Sequence, residues 1–258
     1  MHALIRRTGL ALLLAASAGL ALAQAPAATY EPQPFQEGKD VVWVPTPQEL
    51  VDKMLDMAKV TKDDFVMDLG SGDGRTVITA AKRGARALGV EYNPDMVELA
   101  KRNAAKAGVT GKANFVKADL FETDFSQATV LTLFLLPDIN LKLRPKILGL
   151  KPGTRIVSNT FTMGDWHEDD RADLSATRCG PSWCTALLWI VPARVEGTHR
   201  TSKGELMLKQ EFQMLTGTLT IDGKAYPLEG RVHGDELRFK AAGREYRGKA
   251  NGANVELR

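Results

Sequence analysis

Cysteine is scarce in this chain: there are two in 258 residues, Cys179 and Cys184, both in the stretch C-G-P-S-W-C. Histidine is scattered as His2, His167, His199 and His233, so no second Cys/His pair stands at zinc-ligand spacing, and no metal is expected. The spacing is also longer than the C-x-x-C of a redox site. A local structural disulfide remains as the first expectation, with free thiols as the alternative. A strong charge of either sign is missing too. The formal net charge is +3, and it falls to +1 once Arg6 and Arg7 of the leader are set aside. A nucleic-acid binder shows a larger basic excess or a clear basic face, so nucleic acid is not expected as a partner. After the leader, no run is long and apolar enough to span a bilayer, which takes about 20 residues.

The chain opens M-H-A-L-I-R-R-T-G-L-A-L-L-L-A-A-S-A-G-L-A-L-A-Q-A-P. A basic start, an apolar run and small residues are the layout of a secretory signal peptide. Residues 1–23 are assigned to it, with cleavage after Ala23, and the expected location is exported, periplasmic. Residues 24–40, rich in Ala, Pro and Gln, read as a linker. Thr46-Pro47 is expected to cap and start a helix whose face carries Leu50, Val51, Met54 and Leu55.

From there strands alternate with helices through about residue 192, which implies right-handed crossovers. The expected fold class is α/β, a Rossmann-like, seven-stranded, mostly parallel sheet flanked by helices. T-A-L-L-W-I-V-P reads as a closing strand, with the Cys loop ahead of it. From about Ala193 the helical period disappears. Short strands and turn signals at Gly217, Asp222-Gly223, Gly230, Gly234-Asp235 and Gly243 predict a small antiparallel β meander over 193–258, packed on the first domain. It lacks aromatic platforms spaced for sugars or bases.

The chemistry concentrates in V-M-D-L-G-S-G-D-G-R, residues 66–75. An apolar strand ends in an acid and is followed by glycines at 70, 72 and 74. The dinucleotide fingerprint G-x-G-x-x-G fails because Arg75 stands at its third glycine. The phosphate loop G-x-x-x-x-G-K-[ST] is absent. An acid, then G-x-G-x-G, then a helix resembles class I S-adenosylmethionine-dependent methyltransferases, over about residues 40–190.

That resemblance implies S-adenosylmethionine as cofactor and a set of binding residues. Gly70, Ser71, Gly72 and Gly74 let backbone approach the ligand without Cβ clashes. Asp68 falls near its amino-acid end, Glu91 accepts its ribose hydroxyls, and Asp119 accepts from the adenine amine with Leu120 beside the base. Asn93-Pro94-Asp95 reads as a helix start. For Arg75 a partner in Asp73 and an exposed position both stay open, and Trp166 is either a substrate wall or a packed aromatic.

The wording V-P-T-P…D-L-G-S-G-D-G-R…G-V-E-Y-N-P is similar to a narrower group, the protein-lysine methyltransferases that include the ATP synthase c-subunit lysine methyltransferases and, more distantly, Dot1-type enzymes. There the chain ahead of the first strand covers the cofactor, and Thr46 matches that place. The resemblance implies N-methylation of a lysine-type amine on a protein. A small-molecule methyl acceptor, or a nucleoside- or metabolite-binding protein without turnover, are the alternatives. Residues 135–138 should face the transferring methyl, with Asp138 as candidate catalytic residue. N-P-P-Y and D-P-P-Y are absent there, which argues against adenine or glutamine methylation.

Overall fold

A computed structural model describes residues 30–180, 182–252 and 254–258. The expected leader, its cleavage site and the first part of the linker lie outside these residues. Four helices and fourteen strands follow in chain order among the described residues. The first part runs α1 (Gln48–Met57), β1 (Phe65–Leu69), α2 (Arg75–Lys82), β2 (Arg86–Glu91), α3 (Pro94–Lys106), β3 (Ala113–Lys117) and β4 (Val130–Leu133). It continues with α4 (Pro137–Ile147), β5 (Arg155–Asn159), β6 (Asp170–Asp173) and β7 (Thr185–Ile190).

These strands form one sheet of seven in the order β3-β2-β1-β4-β5-β7-β6. β1 pairs in parallel with both β2 and β4, whereas β7 runs antiparallel to β5 and to β6. Successive strand residues point to opposite faces. Val66, Val130 and Val157 enter one core beneath α1, α2 and α3, while Met67, Leu131 and Ile156 enter the other beneath α4. Each such side chain contributes about 1.5–3 kcal/mol on burial. Both faces are therefore covered, which is why the strands read as apolar runs.

Local signals explain the helix starts. The Asn93 side chain accepts the Asp95 N–H at 2.9 Å, and Pro94 begins α3. α1 departs from expectation: Pro47 is its cap residue and no side chain caps it. Thr46 instead points into the fold, 8% exposed, with its hydroxyl 3.5 Å from Asn159 Nδ2.

The C-terminal strands are β8 (Gly197–Thr201), β9 (Gly204–Glu211), β10 (Met214–Ile221), β11 (Lys224–His233), β12 (Glu236–Ala241), β13 (Arg244–Asn251) and β14 (Asn254–Leu257). They form a second, antiparallel sheet in strict chain order around its own core of Leu206, Leu219, Leu228, Leu237 and Phe239. The first and last strands approach each other, and Ser202 Oγ donates to the Leu257 carbonyl at 3.3 Å. Asp222-Gly223 is a two-residue turn with both φ positive, 50° and 77°. Gly217 and Gly230, expected in turns, lie inside β10 and β11. A Cβ on Gly217 would sit 1.9 Å from the Met207 carbonyl oxygen, and one on Gly230 2.2 Å from that of Arg238, so close strand approach requires glycine there.

The second sheet rests on the first part of the chain. Phe212 stacks on Trp166 at 6.0 Å, Gln213 Nε2 donates to the His167 carbonyl at 2.8 Å, and Arg231 pairs with Asp169. Trp166 is fully buried in that contact, so it is a packed aromatic and not a substrate wall. Cys179 and Cys184 form a disulfide within the β6–β7 loop.

Candidate active site

The carboxyl ends of β1, β2 and β4 open into a cavity of about 430 Å³. A strap over residues 35–46 closes its outer side, and Phe161 and Trp183 contribute to the wall. Asp68, Gly70, Ser71, Gly72, Glu91, Asp119, Leu120 and Thr46, all marked in the sequence, line it together.

The glycine loop turns sharply after β1. Gly70, Gly72 and Gly74 have φ of +82°, +52° and +83°, a conformation that side chains other than glycine adopt at a cost. Its anchor is Glu91 at the end of β2. One carboxylate oxygen accepts the Gly72 N–H at 2.9 Å and the other accepts the Asn93 N–H at 2.9 Å. A carboxylate offers about four lone-pair sites, so acceptor capacity is left for two hydroxyls.

Gly74 has a different reason to be glycine. It is not part of the cavity wall, and a Cβ there would lie 2.7 Å from the Phe115 ring and 2.9 Å from Ala100 Cβ. Close packing of α3 and β3 against the start of α2 demands it. Arg75 pairs with Asp73 at 2.6 Å and donates to the Thr46 carbonyl at 2.8 Å, tying the strap to the loop. Asp138 is exposed in the first turn of α4 and is not among the residues that wall the cavity. The tertiary fold thus gives it the place of an acid at a helix N-terminus.

Asp68 is the most perturbed acid. Burial pushes its pKa from 3.8 up to about 7, opposed by the Thr132 hydroxyl, which donates at 2.6 Å. The negative charges of Glu91 and Asp73 raise it further. Asp119 is held low, first by Lys39, whose Nζ lies 2.6 Å away, and then by the Phe121 N–H. Lys39 also sits over the Tyr92 ring at 5.0 Å. The strap therefore presents a cation where an adenine amine was expected.

These groups suit S-adenosylmethionine. The acids at the ends of β1 and β2 favour a ligand with an ammonium and hydroxyls and disfavour a pyrophosphate, while Asp119 just past β3 is taken up by Lys39. Asp68 is buried and the Thr132 hydroxyl that donates to it is neutral, so a cationic group completes its pairing. The Ser71 hydroxyl is buried in the wall without a hydrogen-bond partner.

Sequence reasoning misses part of the wall. Phe35 and Lys39 fall in the segment that reads as linker, and Trp43, Phe134, Phe161 and Trp183 carry no motif of their own. The apolar run V-V-W-V-P is the available signal for the strap. Nothing local marks the other rings.

The ANTKMT methyltransferase domain family matches residues 68–170. A protein-lysine N-methyltransferase of Saccharolobus islandicus is 51% identical over 130 residues, which are 49% of this chain and 81% of that protein. The ATP synthase c-subunit lysine N-methyltransferase of Mus musculus is 36% identical over 128 residues, 49% of this chain and 51% of its own length. The chain thus spans most of the archaeal relative and about half of the mammalian one. A solved structure described as an RNA methyltransferase from Salinibacter ruber, with S-adenosyl-L-homocysteine bound, superposes with a TM-score of 0.55 at 47% identity. That match covers 59% of this chain and 96% of that one. Glycine loop, strand-end acids and relatives agree: the chain belongs to the S-adenosylmethionine-dependent methyltransferase family that contains the ANTKMT-type protein-lysine N-methyltransferases.

Proposed function

We propose that this methyltransferase transfers its methyl group to the side-chain amine of lysine in a protein acceptor. The observation that carries the proposal is the cavity wall beyond β4. Phe134, Leu135 and Leu136 follow Leu133, which pairs with Leu69 next to the glycine loop. A free lysine amine titrates near ~10.4 and must be neutral to attack. Apolar surroundings lower that value and the cationic sulfur of the cofactor lowers it further, so the proton leaves where the amine meets the methyl group and a dedicated base is not required.

Bound S-adenosylmethionine supplies a methyl group on a cationic sulfur. The chain's own contribution is placement. Glu91 fixes the loop and retains acceptor capacity for a sugar, Asp68 offers a carboxylate to an ammonium, and the strap shields the site from water. Alignment of nucleophile and methyl accounts for most of the expected rate gain. We also infer export to the periplasm, on the signal-peptide layout of residues 1–23 and a disulfide of the kind that oxidising compartments maintain. Detection of the uncut chain in the cytosolic fraction would overturn it.

The test incubates purified chain, labelled S-adenosylmethionine and periplasmic extract, followed by mass spectrometry for methylated lysine. Label that survives ribonuclease and is lost to protease supports the proposal. The description of the Salinibacter relative favours a second reading, an RNA acceptor, and label lost to ribonuclease would establish it. Label only in small molecules, or binding of cofactor with no transfer to any fraction, would defeat both.

A further inference from the structure

The cavity is polarised across the sheet. Asp68, Glu91 and Asp119 come from β1, β2 and the residues after β3, with Tyr92 and Trp43 near them, whereas a contiguous cluster of rings comes from the other side, after β4 and β5 and just ahead of β7. Phe134 stacks on Phe161 at 5.9 Å with 21° between planes. Trp183 meets Phe134 edge-on at 6.4 Å and 60°, and Phe35 of the strap at 6.4 Å.

Trp183 is delivered there by topology. β7 runs antiparallel, so its start lies at the carboxyl end of β5, with Asn159 paired to Ala186 and Thr160 N–H donating to the Thr185 carbonyl at 2.7 Å. The Cys179–Cys184 disulfide closes the loop just ahead of it, and the Cys184 carbonyl accepts the Leu174 N–H at 2.8 Å. Trp183 itself has φ +55°, a conformation unusual for a bulky residue, and the residue stays 39% exposed in the wall. Strained backbone held by a cross-link, presenting an exposed ring to a cavity, points to a function. Phe161 is equally fixed: its carbonyl accepts from Ser158 Oγ at 2.8 Å and from Asn140 Nδ2 at 3.3 Å.

We propose that Trp183, Phe134 and Phe161 form the acceptor slot, that its occupant is the alkylammonium chain of lysine, and that Trp183 is its specificity-determining residue, held in place by the disulfide-closed loop. This rests on the amine reading above and assigns residues to it. Ring faces attract a cation and offer apolar surface to the methylenes behind it. A flipped base would also need polar partners for its edge. The residues that follow Phe134 are leucines.

The test titrates n-butylammonium chloride into isotope-labelled chain loaded with S-adenosylhomocysteine and follows the indole N–H resonances. Trp166 and Trp189, fully buried and outside the cavity wall, serve as internal controls. The expected result is a saturable shift of one resonance, the one missing from Trp183→Phe. Trp183→Leu, measured from the ligand's own signals, should weaken butylammonium binding by roughly threefold to thirtyfold. The Cys179→Ser/Cys184→Ser variant should change it in the same direction. Calorimetry should show that each variant still binds S-adenosylhomocysteine, so that weakened butylammonium binding is not a loss of the fold or of the cofactor site. An unmoved Trp183 resonance, an equal shift with n-butanol or uridine, or full-strength binding by Trp183→Leu would overturn the slot. Loss of S-adenosylhomocysteine binding by the unmodified chain would instead strike the methyltransferase assignment, and absence of labelled lysine in the extract assay the acceptor reading.

Discussion

Glu91 accepts the Gly72 N–H at 2.9 Å, so the last residue of β2 holds the loop that follows β1. Its second oxygen holds the Asn93 N–H, the cap residue of α3. One carboxylate thus sets the position of the glycine loop and of a helix start, and still faces the cavity.

Substitution of Glu91 should therefore cost binding and local order together. Glu91→Gln sets an amide NH2 against one of two backbone N–H groups. Calorimetry should show affinity for S-adenosylhomocysteine reduced on the order of tenfold to a hundredfold, the range for hydrogen bonds to a charged group. Unchanged affinity would remove Glu91 from the site.

Asp68 makes cofactor binding depend on pH. Burial raises its pKa to about 7, and a ligand ammonium favours the ionised form. Affinity should be flat above about pH 7 and fall below it, with proton release on binding near about pH 6. Asp68→Asn should flatten that profile. Stability has the opposite sign: the folded chain holds this proton more tightly than the unfolded chain, so its contribution is present in acid and is lost as pH rises from 3.8 through about 7. Asp68→Asn should then raise the melting temperature relative to the parent at about pH 8 but not at about pH 4.

Two glycines of similar φ should differ in cost. Gly74→Ala combines φ +83° with a Cβ 2.7 Å from Phe115, and urea unfolding should show a loss of roughly 2–4 kcal/mol. Gly108→Ala has φ +69° with nothing within 4 Å, and should lose about 1 kcal/mol.

Phe212 tests the seam between the sheets. It stacks on Trp166 at 6.0 Å and carries the Arg144 guanidinium 5.3 Å from its ring centre. Phe212→Ala should destabilise by about 2–4 kcal/mol in thermal unfolding. Affinity for S-adenosylhomocysteine should stay within about twofold, since none of these side chains lines the cavity.

The strands and helices around the glycine loop were legible because their signals are local. Buried parallel strands read as apolar runs, Pro94 follows a capping Asn, and the turn needs glycine whatever surrounds it. β6 was not legible: D-R-A-D is a polar edge strand whose pairing partner alone defines it. β8 and β13 were hidden for the same reason, being rich in polar and charged residues on their exposed faces. Lys39 escaped notice because an exposed lysine in a Pro- and Gln-rich stretch looks like solvent-facing linker until Asp119, eighty residues away, is brought to it.

By itself the sequence determined the α/β succession, the bend after β1 and the acids at the strand ends, because each depends on backbone propensity and hydrophobic period within a few residues. Only the tertiary structure decided that Gly74 answers to Phe115, that Asp138 stands outside the cavity and that Trp183 faces Phe134. Those facts depend on which strands become neighbours and in which direction the last ones run, and chain-distant pairing leaves no mark on local sequence.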